Sequence, residues 1–117
     1  FRERKQKMAA TPESRVKKQI RKILDTTRTY YAMPIGTGYG SSGVPDFLAC
    51  RNGMFIGIEA KAGKGKTTAL QEDNLKRIQD SGGISLVINE TNVADLATAI
   101  ESLDTLRSMQ WTDNDER

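Results

Sequence analysis

The 117-residue chain contains no histidine, and this absence excludes several kinds of active site. Ser-His-Asp triads, Cys-His pairs, zinc proteases and nucleases with histidine-bound metals all need an imidazole. The single cysteine, Cys50, excludes a disulfide within the chain and a cysteine-based zinc site. No apolar run approaches the roughly 20 residues of a membrane span, and no signal-peptide pattern opens the chain. We therefore expect a protein that is neither inserted in a membrane nor secreted.

Charge is plentiful but unevenly distributed. Residues 1–28 carry ten Lys and Arg against three acids, whereas residues 89–117 carry two against seven. The formal net charge is +3. A basic N-terminal third suits an anionic partner such as nucleic acid. A solvated basic helix face explains the same pattern, so charge alone leaves both interpretations open.

The hydrophobic pattern predicts elements in the order α-β-β-β-α-β-α. Thr11-Pro12-Glu13 is typical of a helix start, and Asn52-Gly53 between two apolar runs is a strong hairpin signal. The first three strands are expected to be antiparallel, and the last two to be parallel with a helix between them. The predicted elements are a helix over 11–27, strands over 30–35, 45–51 and 54–61, a helix over 68–81, a wholly buried strand over 84–88, and a helix over 92–106.

The chain has the length of one domain of ordinary size. We expect a flexible segment over 1–10, a single domain over 11–107 and a polar tail over 108–117. The predicted architecture is α/β, with a mixed central sheet flanked by helices.

The hairpin register brings two acids together. A two-residue turn makes Arg51 face Met54, which sets Asp46 directly opposite Glu59 on one sheet face, with Lys61 two residues further along. Two opposed carboxylates repel unless a cation lies between them. Mg²⁺ or Mn²⁺, which prefer hard oxygen ligands, would remove the conflict. A solvent-facing strand on which Lys61 neutralises the acids is the alternative.

Two further polar residues fall on apolar stripes of their helices. Glu13 is in phase with Val16 and Ile20, and Gln71 is in phase with Leu75. A helix-dipole role explains Glu13, and a hydrogen-bonded buried amide explains Gln71. The alternative is that both point toward the hairpin face that carries the acids.

Three segments together resemble a known nuclease signature. Gly43-Val44-Pro45-Asp46, Ile58-Glu59-Ala60-Lys61 and Gln71 on the next helix are similar to the PD-(D/E)XK motif, in particular to the VRR-NUC family. The resemblance covers roughly residues 11–90. It implies a restriction-endonuclease-like αβββαβ core, here followed by a C-terminal helix. It also implies cleavage of DNA with a divalent metal, and often a homodimer similar to Holliday-junction resolvases. The expected substrate is four-way or branched DNA. The expected location is the cytoplasm of a bacterial or phage-infected cell.

The resemblance also implies roles for individual residues. Asp46 and Glu59 would hold Mg²⁺, for which Mn²⁺ would substitute. The main-chain carbonyl of Ala60 would be a further ligand, and Glu13 a less direct one. Lys61 would orient the attacking water, and Gln71 would position Lys61 or that water. Predicted DNA contacts are Lys64, Lys66, Gly43 and Lys17. The apolar cluster Tyr30, Tyr31 and Met33 is the predicted dimer contact, unless it packs under the helices.

Two other functions remain open at this point. Gly65-Lys66-Thr67 matches the end of a phosphate-binding P-loop and lies between a strand and a helix, which favours a nucleotide-binding protein. Ala60 stands where the opening glycine of such a loop is required. A non-catalytic DNA-binding module is the second alternative, and it predicts binding without a metal.

Overall fold

The computed structural model describes residues 11–35 and 43–115. The predicted flexible segment 1–10 and most of the glycine-rich loop after β1 lie outside these residues. The elements are α1 (Pro12–Thr26), β1 (Tyr30–Ala32), β2 (Phe47–Arg51), β3 (Met54–Ala60), α2 (Ala69–Asp80), β4 (Ile84–Ile88) and α3 (Val93–Asp115).

The four strands form one mixed sheet in the order β1-β2-β3-β4. β1 pairs antiparallel with β2, β2 pairs antiparallel with β3, and β3 pairs parallel with β4. The α2 helix makes the crossover between the two parallel strands. The predicted α/β class with a mixed sheet flanked by helices is confirmed.

The main core lies between the sheet and the helices α1 and α3. Alternate sheet residues such as Phe47, Ile56 and Ile58 face these helices, because successive side chains of a strand point to opposite faces. Each helix contributes one apolar stripe to this core. The buried helix residues are Val16, Ile20 and Leu24 from α1 and Leu96, Ile100 and Leu103 from α3.

The opposite sheet face is covered in part by α2. Gly57 lies under Ile78 so closely that a Cβ atom there would be 2.5 Å from the Ile78 Cδ1 atom. The Ser85 hydroxyl donates a 2.6 Å hydrogen bond to the Leu75 carbonyl and joins β4 to the same helix. The α2 helix is thereby fixed above β3 and β4.

The β2–β3 hairpin has the predicted register, with Arg51 paired to Met54 and Phe47 paired to Ile58. Asn52 and Gly53 both have positive φ, 53° and 81°, as a two-residue hairpin turn with the strand twist requires. The Arg51 guanidinium donates two 2.8 Å hydrogen bonds to Asp104 on α3 and also contacts the Thr27 carbonyl after α1. The turn is thus fastened to both helices of the core.

The strands β1 and β4 and the last helix differ from their predictions. β1 ends at Ala32 rather than at residue 35, since Pro34 has no N–H for strand pairing. The predicted full burial of β4 is wrong, because this edge strand leaves Val87 40% exposed while Ile88 is buried. The last helix continues to Asp115 instead of ending near residue 106. Among the residues that the structure describes, no helix is both long and apolar enough to span a membrane.

Candidate active site

The candidate site lies at the sheet edge where β3 ends and the first turns of α1 and α2 approach. Asp46 directly precedes β2, and Glu59 is the penultimate residue of β3. Lys17 on α1 and Gln71 on α2 reach these two acids from opposite sides of the sheet. Helix N-termini carry partial positive charge, so their approach favours anionic groups here.

Asp46 has both carboxylate oxygens engaged. Oδ2 accepts a 2.9 Å hydrogen bond from the Ala60 N–H in place of a backbone acceptor, and β2 begins at Phe47 rather than at residue 45. Oδ1 lies 3.5 Å from the Lys17 ammonium. The N–H and C=O of one residue in an extended strand point to the same side. The Ala60 carbonyl is therefore directed to the side of the strand on which Asp46 lies.

Glu59 is 3% exposed, which is unusual for a carboxylate. Its Oε2 accepts a 3.0 Å hydrogen bond from Gln71 Nε2 and lies 3.7 Å from the Lys61 ammonium. Its Oε1 is buried and has no hydrogen-bond partner among the described residues. A buried polar atom without a partner costs free energy, so this oxygen needs an explanation.

The surroundings of Glu59 raise the pKa of its carboxyl from the ordinary 4.5 to about 7. Burial is the main cause, because it disfavours the charged form. The neighbouring Asp46 charge raises the pKa further, while the Lys61 ammonium opposes both effects. Paired carboxylates with one strongly raised pKa are typical of functional sites.

Gln71 is oriented by the cap of its own helix. The Gln71 N–H donates to the Thr68 hydroxyl, and the Gln71 Oε1 accepts from the Thr68 N–H, which together form a capping box. Only the amide nitrogen remains free to face the sheet, and it donates to Glu59. The prediction that Gln71 positions Lys61 or the attacking water stays a prediction. The Thr-x-x-Gln spacing is the sequence signal that would have found Thr68 as the residue that orients Gln71.

Gly43 packs beneath the same helix terminus. Its φ of +81° suits glycine, and a Cβ atom there would lie 2.6 Å from the Leu70 carbonyl carbon and 2.9 Å from the Gln71 nitrogen. The glycine therefore allows the chain before Asp46 to pass directly against α2. This is a structural reason for Gly43, while its predicted DNA contact stays a prediction.

Glu13 lies at the rim of the site. Its side chain is 45% exposed and lies 3.7 Å from Lys17, which stands between it and Asp46. No group of three or more acidic, histidine or cysteine side chains within the described ranges is arranged to hold a metal ion. The structure thus brings together Asp46, Glu59, Lys61 and Gln71, and leaves Glu13 at the rim.

These residues fit a hard divalent cation. The donors are two carboxylates and one main-chain carbonyl, and Mg²⁺ commonly binds through one or two carboxylates while it keeps several waters. A cation at the Glu59 Oε1 atom would supply the partner that this buried oxygen lacks. It would also reduce the repulsion between the two acids.

The basic loop between β3 and α2 does not have the geometry of a P-loop. Lys64 and Lys66 are exposed, and α2 begins only at Ala69 with Thr68 as its N-cap. The Gly63 N–H, which a phosphate would need, donates a 2.7 Å hydrogen bond to the Glu90 carboxylate. Sequence reasoning did not assign Glu90 this role of anchoring the loop. The nucleotide-binding alternative has no support from this arrangement.

Comparisons with known proteins bear on the fold. No protein-family profile matches the sequence, and no curated protein matches it. A solved structure described as a "VRR_NUC domain protein" superposes on the chain with a TM-score of 0.62 at 16% sequence identity. The match covers 82% of this chain and 90% of that chain. At this identity the similarity establishes the fold alone, and it confirms the predicted VRR-NUC fold.

Proposed function

We propose that this protein is a divalent-metal-dependent DNA endonuclease that hydrolyses phosphodiester bonds. The observation that carries the proposal is the buried Glu59 carboxylate, whose Oε1 has no hydrogen-bond partner among the described residues and whose Oε2 lies 3.7 Å from the Lys61 ammonium, with Asp46 close by. A buried carboxylate oxygen without a partner costs stability, whereas a metal site requires free carboxylate oxygens. The shared fold with a VRR_NUC domain protein supports the same conclusion.

Each residue has a role that follows from its contacts. Asp46, Glu59 and the Ala60 carbonyl would hold Mg²⁺ or Mn²⁺, which would lower the pKa of a water and stabilise charge on the phosphate. The Lys61 ammonium orients the attacking water and meets the negative charge that develops on the phosphate. Gln71 holds the Glu59 carboxylate in one orientation through its 3.0 Å hydrogen bond.

Charged groups around this centre suit a DNA backbone. The exposed Lys64 and Lys66 follow β3 directly and have no ion pair among the described residues. We expect them to contact phosphates on one side of the scissile bond. Lys17 contacts carboxylates instead, so its predicted DNA contact requires its release from Asp46. Glu13 remains a predicted ligand through water.

We further propose a homodimer that acts on four-way or branched DNA. Two strands must be cut, one chain offers one site, and a two-fold pair matches a two-fold junction. Tyr30 is 75% exposed and lies in one cross-strand row with the exposed Cys50 and Phe55 on the same sheet face. Tyr31 does not join this surface, because it packs against Phe47 and donates a hydrogen bond to Asp25.

A cleavage panel tests the nuclease proposal. Labelled linear duplex, flap and four-way junction DNA are incubated with Mg²⁺, Mn²⁺ or EDTA, and the products are separated by size. We expect metal-dependent cleavage by the wild type and its loss in Asp46→Asn and Lys61→Ala, each checked for fold by circular dichroism. Binding of DNA without any cleavage would instead favour the non-catalytic module. Equal cleavage of all three substrates would remove the branched-DNA preference.

Sedimentation velocity tests the dimer separately. We expect the wild type to sediment as a dimer at micromolar concentration and Tyr30→Asp to sediment as a monomer. A wild-type monomer of 13.0 kDa, unchanged by junction DNA, would contradict the dimer and leave the nuclease proposal intact.

A further inference from the structure

The outer face of α1 carries a dense group of cations. Arg15, Lys18, Arg21 and Lys22 are all exposed along this helix, and Arg28 follows just beyond its end. The exposed acid on this helix is Asp25, and its Oδ1 accepts a 2.8 Å hydrogen bond from the Tyr31 hydroxyl. We call the four helix cations the basic face of α1.

The cations of this face have no ion pairs with the described residues, in contrast to those of α2. On α2, Lys76 lies 3.0 Å from Asp80 and Arg77 lies 3.9 Å from Asp73, each as an i,i+4 pair. Within the basic face this spacing joins like charges at Lys18 and Lys22, and Arg21 forms no ion pair with Asp25, which lies four residues after it. Like charges at this spacing destabilise a helix. The arrangement costs stability in water and suits a bound polyanion.

The basic face begins at the candidate active site. Lys17, whose ammonium is 3.5 Å from Asp46, lies next to Lys18 on the same helix. A hollow of about 380 Å³ further along is lined by Lys18, Arg21, Lys22, Asp25 and Thr26. From Lys17 to Lys22 the helix rises about 7.5 Å. One DNA strand presents a phosphate about every 3.4 Å along the duplex axis, so this length spans about two phosphates.

We propose that the basic face of α1 docks the backbone of the duplex arm that flanks the cleaved phosphate. The inference rests on the proposed nuclease function and adds the surface that holds the substrate outside the catalytic centre. The neighbouring helix α3 is unsuited to this role, because its exposed side includes Asp95 and Glu101. The DNA arm therefore follows α1 and avoids α3.

DNA affinity measured at several salt concentrations tests this surface. The wild type, Lys18→Gln/Lys22→Gln and the control Lys76→Gln/Arg77→Gln are titrated with a fluorescent 20-bp duplex in EDTA, so that no cleavage occurs. Each lost phosphate contact lowers the slope of log K against log salt by about 0.9. We expect the slope of the α1 variant to be smaller than that of the wild type by about 2, and its affinity for DNA to be roughly tenfold lower. The control should match the wild type.

The outcomes separate this inference from the function on which it rests. An unchanged slope in the α1 variant, with a wild type that cuts DNA in Mg²⁺, overturns the docking surface and leaves the nuclease intact. An equal loss of slope and affinity in the α2 control also overturns the docking surface, because such a loss would reflect the net charge of the protein alone. Loss of binding to phosphatidylserine vesicles with unchanged DNA affinity would identify a lipid surface instead. A wild type that neither binds nor cuts DNA overturns the nuclease proposal itself.

Discussion

Glu59 is the residue at which stability and the proposed activity make opposite demands. Its carboxyl is buried, one oxygen has no partner among the described residues, and its pKa is raised to about 7. Charging this group in the absence of a cation is costly, because burial removes its hydration and Asp46 repels it. The proposed function explains why the residue is not replaced by an apolar one.

The raised pKa of Glu59 predicts how stability depends on pH in EDTA. Between pH 4.5 and 7 the folded state binds more protons than the unfolded state, so the free energy of unfolding falls as pH rises through this range. Glu59→Gln removes the titrating group. We therefore expect the variant to gain more stability over the wild type at pH 8 than at pH 5, as measured by urea denaturation. The exposed control Glu101→Gln should differ from the wild type in free energy of unfolding by the same amount at both pH values. An equal gain in free energy of unfolding for Glu59→Gln at pH 5 and pH 8 would contradict this explanation.

Under the proposed function, Lys17 would compete with a metal ion for Asp46. Its ammonium lies 3.5 Å from the Asp46 Oδ1 atom, close to the point where a divalent cation would bind. Removing this positive charge in Lys17→Ala should tighten Mn²⁺ binding by roughly tenfold, measured by calorimetry. Lys18→Ala, one residue along and without a carboxylate contact among the described residues, is the matched control and should change little. Weaker Mn²⁺ binding by Lys17→Ala would mean that Lys17 organises the site.

Among the elements, α2 lies close to the segment that precedes β2, and this close approach positions Gln71. Gly43 and Gly53 share a φ of +81°, but only Gly43 has neighbours that a Cβ atom would strike. Gly53→Ala should cost about 1 kcal/mol, the price of a left-handed residue. Gly43→Ala should cost a further 1–3 kcal/mol or so from overpacking against the Leu70 carbonyl, by chemical denaturation. It should also slow cleavage, because α2 and Gln71 must shift. Equal costs at the two glycines would contradict this packing.

The hairpin was predictable from the sequence because one turn determines its register. Asn52-Gly53 makes Arg51 face Met54, and every later pair follows, including the approach of Asp46 to Glu59. The contact between Gln71 and Glu59 was not predictable in the same way. It depends on how α2 crosses the sheet, and that crossing is determined by Gly57 under Ile78 and Gly43 under Leu70. Such tertiary contacts leave no periodic signal in the sequence.

At the scale of the molecule, two helices of opposite charge pack on the same sheet face. The basic α1 and the acidic α3 both cover the core side of the sheet, so the charge asymmetry along the sequence becomes an asymmetry of surface. The charges of the two helices can be read from the sequence, but their position next to each other on one sheet face cannot. This arrangement favours approach of a polyanion along α1 rather than α3, as the proposed docking surface requires, and a cation bound by Asp46 and Glu59 would then accept its phosphate.

Single-turnover cleavage of end-labelled DNA by Glu59→Gln tests whether Glu59 is a metal ligand of a nuclease. Saturating protein, Mg²⁺ and the best substrate of the panel are used for the wild type, for Glu59→Gln and for Glu101→Gln. We predict that the wild type and Glu101→Gln cut at the same rate and that EDTA stops both. Glu59→Gln should be folded and at least about 100-fold slower, because it loses a charged metal ligand. Cleavage by Glu59→Gln at the wild-type rate, or by the wild type in EDTA, would contradict a metal-dependent nuclease centred on this residue.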